Sequence, residues 1–63
     1  MHKEVSKILE MVTLGKSNKE IASVLNFSEA YIKKIISKLL KQYKVTNRTA
    51  LATEYLAQRL HNL

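Results

Sequence analysis

Apolar positions recur with a helical period from one end of the chain to the other. Val5, Ile8, Leu9 and Val12 follow the i, i+3, i+4, i+7 spacing of a helix that buries one face. Gly15 stands where a left-handed helix end would need it. A first helix is predicted over about residues 3–14. Ser17-Asn18-Lys19-Glu20 has the form of a capping box, with Glu20 three residues after Ser17. Ile21, Ala22 and Leu25 then make a short apolar stripe, placing a second helix at about 18–25. Asn26-Phe27 is a tight connection, and asparagine tolerates left-handed geometry. Ser28 is a second N-cap, followed by Glu29 at the positive end of the helix dipole. Ile32, Ile35, Ile36, Leu39, Leu40 and Tyr43 share one face of a third helix, about 29–43. Val45-Thr46-Asn47 breaks the pattern and offers Thr46 or Asn47 as the next cap. Leu51, Ala52, Tyr55, Leu56 and Leu60 mark a fourth helix, about 48–60, with the last residues expected to fray. No linker, internal repeat or low-complexity segment interrupts this order. The expectation is one all-α domain over residues 1–63.

Size and composition narrow the chemistry. A 63-residue chain buries only about 60% of the surface that it exposes when unfolded, so it has a core but no deep pocket. The chain has no Cys, which excludes a disulfide framework, a zinc finger and a thiol nucleophile. Every acid is Glu, so there is no phosphoacceptor aspartate. Gly15, the one glycine, cannot build a phosphate-cradling loop. No apolar run approaches the ~18 residues of a membrane span, and Met1-His2-Lys3-Glu4 lacks the apolar stretch of a signal peptide. His2 and His61 lie near opposite ends of the chain and read as free terminal histidines, not a metal site. Ser17 and Ser28 read as caps, because no His or Asp lies nearby to activate them. Tyr43 and Tyr55 sit on apolar stripes, which suits core or interface residues better than base-stacking platforms. The expectation is a cytoplasmic binding domain that is not an enzyme, with no metal and no cofactor.

Charge supplies the partner class. Lys and Arg total 11 against 5 Glu, a net charge of +6, which favours a polyanion. On a wheel of ~100° per residue, Lys33, Lys44, Ser37, Lys41, Lys34 and Lys38 fall within roughly 0° to 140°. The apolar residues of the same segment fall between roughly 200° and 340°. A solvated lysine face is the plain reading of such a helix. Two details favour a binding face instead. Apart from Glu29, four residues before Lys33, the lysines lack the Glu partners at i±4 that lace a merely soluble helix. Ala30 and Ser37 are small and permit close approach to a surface. A short helix, a tight turn and a longer basic helix make a helix-turn-helix, whose second helix enters the DNA major groove. That groove, about 12 Å wide, admits one α-helix, and lysine donates to guanine O6 and N7 or to phosphate.

These residues resemble a known family. Gly15-Lys16-Ser17-Asn18-Lys19-Glu20-Ile21-Ala22, Leu25, Phe27-Ser28-Glu29-Ala30, Ile32-Lys33 and Val45-Thr46-Asn47-Arg48-Thr49 are similar to the LuxR-type helix-turn-helix domain. That domain ends NarL/FixJ-type response regulators and quorum-sensing regulators, and it occurs alone in small spore regulators. The resemblance covers about residues 8–52. It implies a four-helix fold, with the third helix reading DNA and the fourth forming a dimer. It places Lys33, Lys34 and Ser37 at base edges, and Asn18, Lys19, Ser28, Tyr31, Lys38 and Lys41 at phosphates. Asn18 is equally readable as a turn residue. Ala50, Thr53, Glu54 and Ala57 would line the outer side of the fourth helix as the dimer surface, with Leu51, Tyr55 and Leu56 packing inward.

Four positions depart from the family pattern. Val5 stands where the family has a nearly invariant Glu, so the N-terminal brace either passes to Glu4 or is absent. Tyr31 replaces the usual Thr, Ile35 a common His, and Lys44 a common Gly after the third helix. The partners expected are double-stranded DNA and a second copy of the chain on that DNA, with RNA polymerase as a further candidate. Two rival readings are a polymerase-docking module like sigma-factor region 4 and a cationic membrane-active peptide. The Asn47-Arg48-Thr49 segment and the fourth helix favour the LuxR type over the first. The absence of Trp and the strong capping signals of a packed globule oppose the second.

Overall fold

The computed structural model describes residues 2–62, apart from the His2 side chain. Among them run four α-helices and no strand: α1 (His2–Thr13), α2 (Asn18–Leu25), α3 (Glu29–Gln42) and α4 (Arg48–His61). Each boundary lies within a residue of the position that the sequence pattern predicts. α4 continues through His61, one residue past expectation. Leu63, where fraying was expected, lies outside the described residues, as does the side chain of His2.

Local chemistry explains the starts. Ser17 Oγ accepts from the Glu20 backbone N–H at 3.1 Å, and Glu20 Oε1 accepts from the Ser17 N–H at 2.9 Å. This is the reciprocal capping box, and it satisfies two donors that a helix start leaves over. Ser28 Oγ accepts from the Tyr31 N–H at 3.0 Å to start α3. Asn47 Oδ1 accepts from the Ala50 N–H at 2.8 Å to start α4, so Asn47 is the cap and Thr46 is not.

Three helices end through a residue of positive φ: Gly15 (79°), Asn26 (61°) and Lys44 (58°). After α1, Gly15 N–H donates to Val12 O and Lys16 N–H to Met11 O. After α3, Lys44 N–H donates to Lys41 O and Val45 N–H to Leu40 O. Both pairs have the Schellman pattern, which captures the last free carbonyls of a helix. Lys44 has therefore left α3, and its position on a helical wheel does not describe it.

The core lies where the four helices meet. Ile8, Leu9 and Val12 of α1, Ile21 and Ala22 of α2, Ile32, Ile36 and Leu39 of α3, and Leu51 of α4 are buried. Val5, Leu25, Ile35, Leu40, Tyr43, Ala52 and Tyr55 pack half-buried around them. α1 lies against α4 and α2 against α3, while α3 also touches α4. At the outer edge, Arg59 Nη1 of α4 meets Glu10 Oε1 of α1 at 3.2 Å. Both side chains are exposed, so this ion pair adds little stability.

Leu56 and Leu60 depart from expectation. They are 46% and 70% exposed and do not join the core. The reason is angular. At ~100° per residue, Leu56 lies about 140° and Leu60 about 180° round α4 from the buried Leu51. Only Leu51, with Ala52 and Tyr55 beside it, faces inward.

The turn after α3 yields a stability prediction. A non-glycine residue in the left-handed region costs ~1–2 kcal/mol. Glycine returns part of that gain, about 0.4–1 kcal/mol, through its freer unfolded state. Lys44→Gly should therefore raise stability by about 0.5–1 kcal/mol and the melting temperature by about 3–6 °C. Gly15→Ala should act with the opposite sign. A Cβ at Gly15 meets nothing within 4 Å, so its cost is backbone strain alone. Thermal unfolding followed by circular dichroism checks both. An unchanged or lower melting temperature for Lys44→Gly would show that this turn is not strained.

Candidate nucleic-acid interface

α2, the three-residue turn Asn26-Phe27-Ser28 and α3 form a helix-turn-helix unit. Two features pin its turn. Asn26 takes the left-handed position, and the Phe27 N–H returns to Ala22 O at 2.9 Å. Phe27 packs half-buried against the core. Its ring also meets that of Tyr31, with centroids 4.8 Å apart and planes tilted by 44°.

α3 divides cleanly. Ile32, Ile36 and Leu39 turn inward, whereas Lys33, Lys34, Ser37, Lys38 and Lys41 are all exposed. Ala30 is exposed on the same side. None of these lysines is ion-paired among the described residues. The Lys44 side chain is exposed just beyond the helix end. The outer face of α3 thus presents cationic donors without internal acceptors.

The other candidate residues hold more varied positions. Lys19 is exposed in the first turn of α2. Ser28 is exposed, and its oxygen is engaged as a cap while its hydroxyl proton remains available to donate. The Tyr31 hydroxyl donates to Glu4 Oε1 at 3.0 Å. That bond, with burial and the Glu4 charge behind it, holds the phenol pKa above its ordinary value. Tyr31 therefore keeps its proton but has committed it to Glu4. The bond ties Glu4 of α1 to the first turn of α3.

Asn18 is half-buried, and its Oδ1 accepts from Arg48 Nη1 at 2.6 Å. Arg48 Nη2 donates to the Lys16 carbonyl at 2.5 Å. Arg48 thereby bridges the first turn of α4 to the residues on either side of the α2 cap. This contact spans 30 residues of sequence, and the sequence reading gave Arg48 no role of its own. The one signal was its place in Asn47-Arg48-Thr49.

At the α2 start, Glu20 has its pKa lowered, first by the Ser17 backbone N–H, then by the Ser17 hydroxyl and the charge of Lys16. A lowered carboxyl stabilises the folded state fully above its ordinary pKa. That contribution fades as pH falls through the lowered value. The capping box is therefore intact at neutral pH.

Among the described residues, no group of three or more His, Cys, Asp or Glu could hold a metal ion. No helix there is long and apolar enough to cross a membrane.

The comparisons with known proteins agree with this geometry. The family model described as bacterial regulatory proteins, luxR family, matches residues 3–55. The chain belongs to that family. It is 44% identical over 52 residues to the nitrate/nitrite response regulator protein NarP of Escherichia coli, covering 82% of this chain and 24% of that protein. It is 38% identical over 55 residues to the probable transcriptional regulator ycf29 of Pyropia yezoensis, covering 87% of this chain and 25% of that protein. The chain thus spans about a quarter of the length of these relatives. No solved structure matches it. Membership of the luxR family sets its helix-turn-helix with that of DNA-binding transcription regulators.

Proposed function

We propose that this domain binds double-stranded DNA sequence-specifically as the effector part of a bacterial transcription regulator, within the cytoplasm. α3 lies in the major groove, and α2 crosses the adjacent backbone. The observation that carries this reading is the outer face of α3. It has four exposed lysines and Ser37 without internal partners, on a helix whose opposite face is fixed in the core. Lys33, Lys34 and Ser37 meet base edges. Lys38 and Lys41, with Lys19 and Asn18 of α2 and Ser28 and Tyr31 at the start of α3, meet phosphates. Tyr31 does so by exchanging its bond to Glu4.

α4 serves as the dimer surface. Thr53, Glu54 and Ala57 are exposed on its outer side, and Ala50 is half-buried at their edge. Leu56 and Leu60 lie on the same outer arc, within about 60° of Thr53, and are exposed. Small residues flanked by two uncovered leucines suit a close two-fold helix–helix contact. One domain reads only a few base pairs, whereas a dimer on a palindrome reads two half-sites about one helical turn apart.

Neutralising about 4–6 phosphates per protomer gives a log K against log salt slope of about −4 to −5. Within that total, readers and clamps separate. Lys33→Ala or Lys34→Ala should cost ~1–3 kcal/mol on the specific site and relax one base position. Lys38→Ala or Lys41→Ala should weaken binding to all duplexes alike and flatten the slope by about one. Anisotropy titrations of each variant across single-base changes and salt concentrations check this. Identical behaviour of all four variants would refute the division.

For the dimer, Ala57→Arg should abolish cooperative filling of a full palindromic site and leave both half-site affinity and helical content unchanged. Titrations on full and half operators, with sedimentation, supply the test. Retained cooperativity would show that α4 is not the interface.

A further inference from the structure

Arg48 lies behind the interface, and nothing above requires it to touch DNA. Its guanidinium is half-buried and has no carboxylate partner among the described residues. Instead it holds two neutral oxygens, Asn18 Oδ1 at 2.6 Å and the Lys16 carbonyl at 2.5 Å. A guanidinium carries donors only. The Asn18 atom that faces it must therefore be the amide oxygen, and the alternative amide orientation would set donor against donor. Arg48 thus fixes the amide in one of its two orientations. The Asn18 Nδ2 group then keeps both protons, and no acceptor for them occurs among the described residues.

We infer that Arg48 is a positioning residue for DNA binding: by engaging the Asn18 oxygen, it presents the Asn18 NH2 as a donor to a phosphate oxygen. This inference rests on the duplex-binding reading above and assigns a role within the same surface. Asn18 alone has no preference between donating and accepting toward a ligand. With Arg48 in place the amide group left free of a partner is the NH2 donor, which matches a phosphate, an acceptor at every free oxygen. The Lys16 carbonyl bond adds a second anchor. The guanidinium is thereby fixed on both sides of the Ser17 cap, and α4 is tied to the first turn of α2.

Three single variants, one double variant and one spectroscopic signal test the idea on the intact chain, with a palindromic duplex chosen by selection from a random pool. Asn18→Ala should weaken binding about 3–10-fold with the salt slope unchanged, because a neutral donor displaces no counterion. Arg48→Ala should also weaken binding. In the Asn18→Ala background, the Arg48→Ala loss should shrink to less than about 2-fold, because the amide that it oriented is gone. Arg48→Lys keeps the charge and guards against a variant that fails to fold. It should bind more weakly than wild type, because an ammonium lacks the planar fork that engages both oxygens. In the wild type, the Asn18 side-chain NH2 pair should shift in 1H–15N spectra when duplex is added. In Arg48→Lys that shift should be reduced.

A purely structural Arg48 would lower the melting temperature of its variants. It would give additive losses in affinity and leave the Asn18 NH2 signals unmoved by DNA. Either of the last two results, with wild type still binding duplex, overturns the positioning role and leaves the DNA-binding reading intact. If wild type does not bind duplex at all, the DNA-binding reading falls first.

Discussion

Everything in this domain depends on α3 serving two neighbours at once. Its inner stripe, Ile32, Ile36 and Leu39, closes a core that contains nine buried residues. Its outer face carries Lys33, Lys34, Lys38 and Lys41 into solvent. The same helix is thus the wall of the core and, on the proposed function, the ridge offered to DNA. Burial fixes its rotation, because a turn about its axis would put a lysine into the core at a cost of several kcal/mol. The hydrophobic core therefore aims the lysines, and no separate device is needed to orient them.

A small core leaves the ends of the helices to local chemistry. Capping by Ser17, Ser28 and Asn47 starts α2, α3 and α4, and left-handed residues stop α1, α2 and α3. Among the described residues, two side-chain bridges then reach across the fold to the helix-turn-helix. Glu4 holds Tyr31, which sets the start of α3 against α1. Arg48 holds Asn18 and Lys16, which sets the start of α2 against α4. Both bridges end in the first turns of the two helices of the helix-turn-helix. The second ties the start of α2 to the helix with the uncovered leucines, so the proposed DNA and dimer surfaces share a rigid element.

The legible part of this architecture was local. Caps act within three or four residues, so Ser17-Asn18-Lys19-Glu20 and Ser28 marked helix starts without reference to the rest of the fold. The basic face of α3 was equally plain, because an angular separation needs only the sequence of one helix. By apolar content Leu56 and Leu60 read as a stripe with Leu51, but their angle from it sets them on the outer side. The bridges were not legible. Arg48 and Asn18 are 30 residues apart, and Tyr31 and Glu4 are 27 apart. Nothing in the period of either helix announces such a meeting. Glu4 was open as a substitute brace, but the tyrosine that receives it was not identified. The NH2 orientation of Asn18 follows only from a three-dimensional neighbour that has donors alone.

On the proposed function, the outer face of α3, aimed by the core behind it, is what meets DNA. Amide chemical-shift mapping during titration with a specific duplex tests it most directly, because every backbone N–H reports separately. The largest shifts should fall in the first turn of α2 and along the Lys33–Lys41 side of α3. Smaller shifts should appear on the outer side of α4 only with a full palindromic site. Shifts concentrated elsewhere, with the amides of Lys33, Lys34, Ser37 and Lys38 unmoved at saturation, would contradict it.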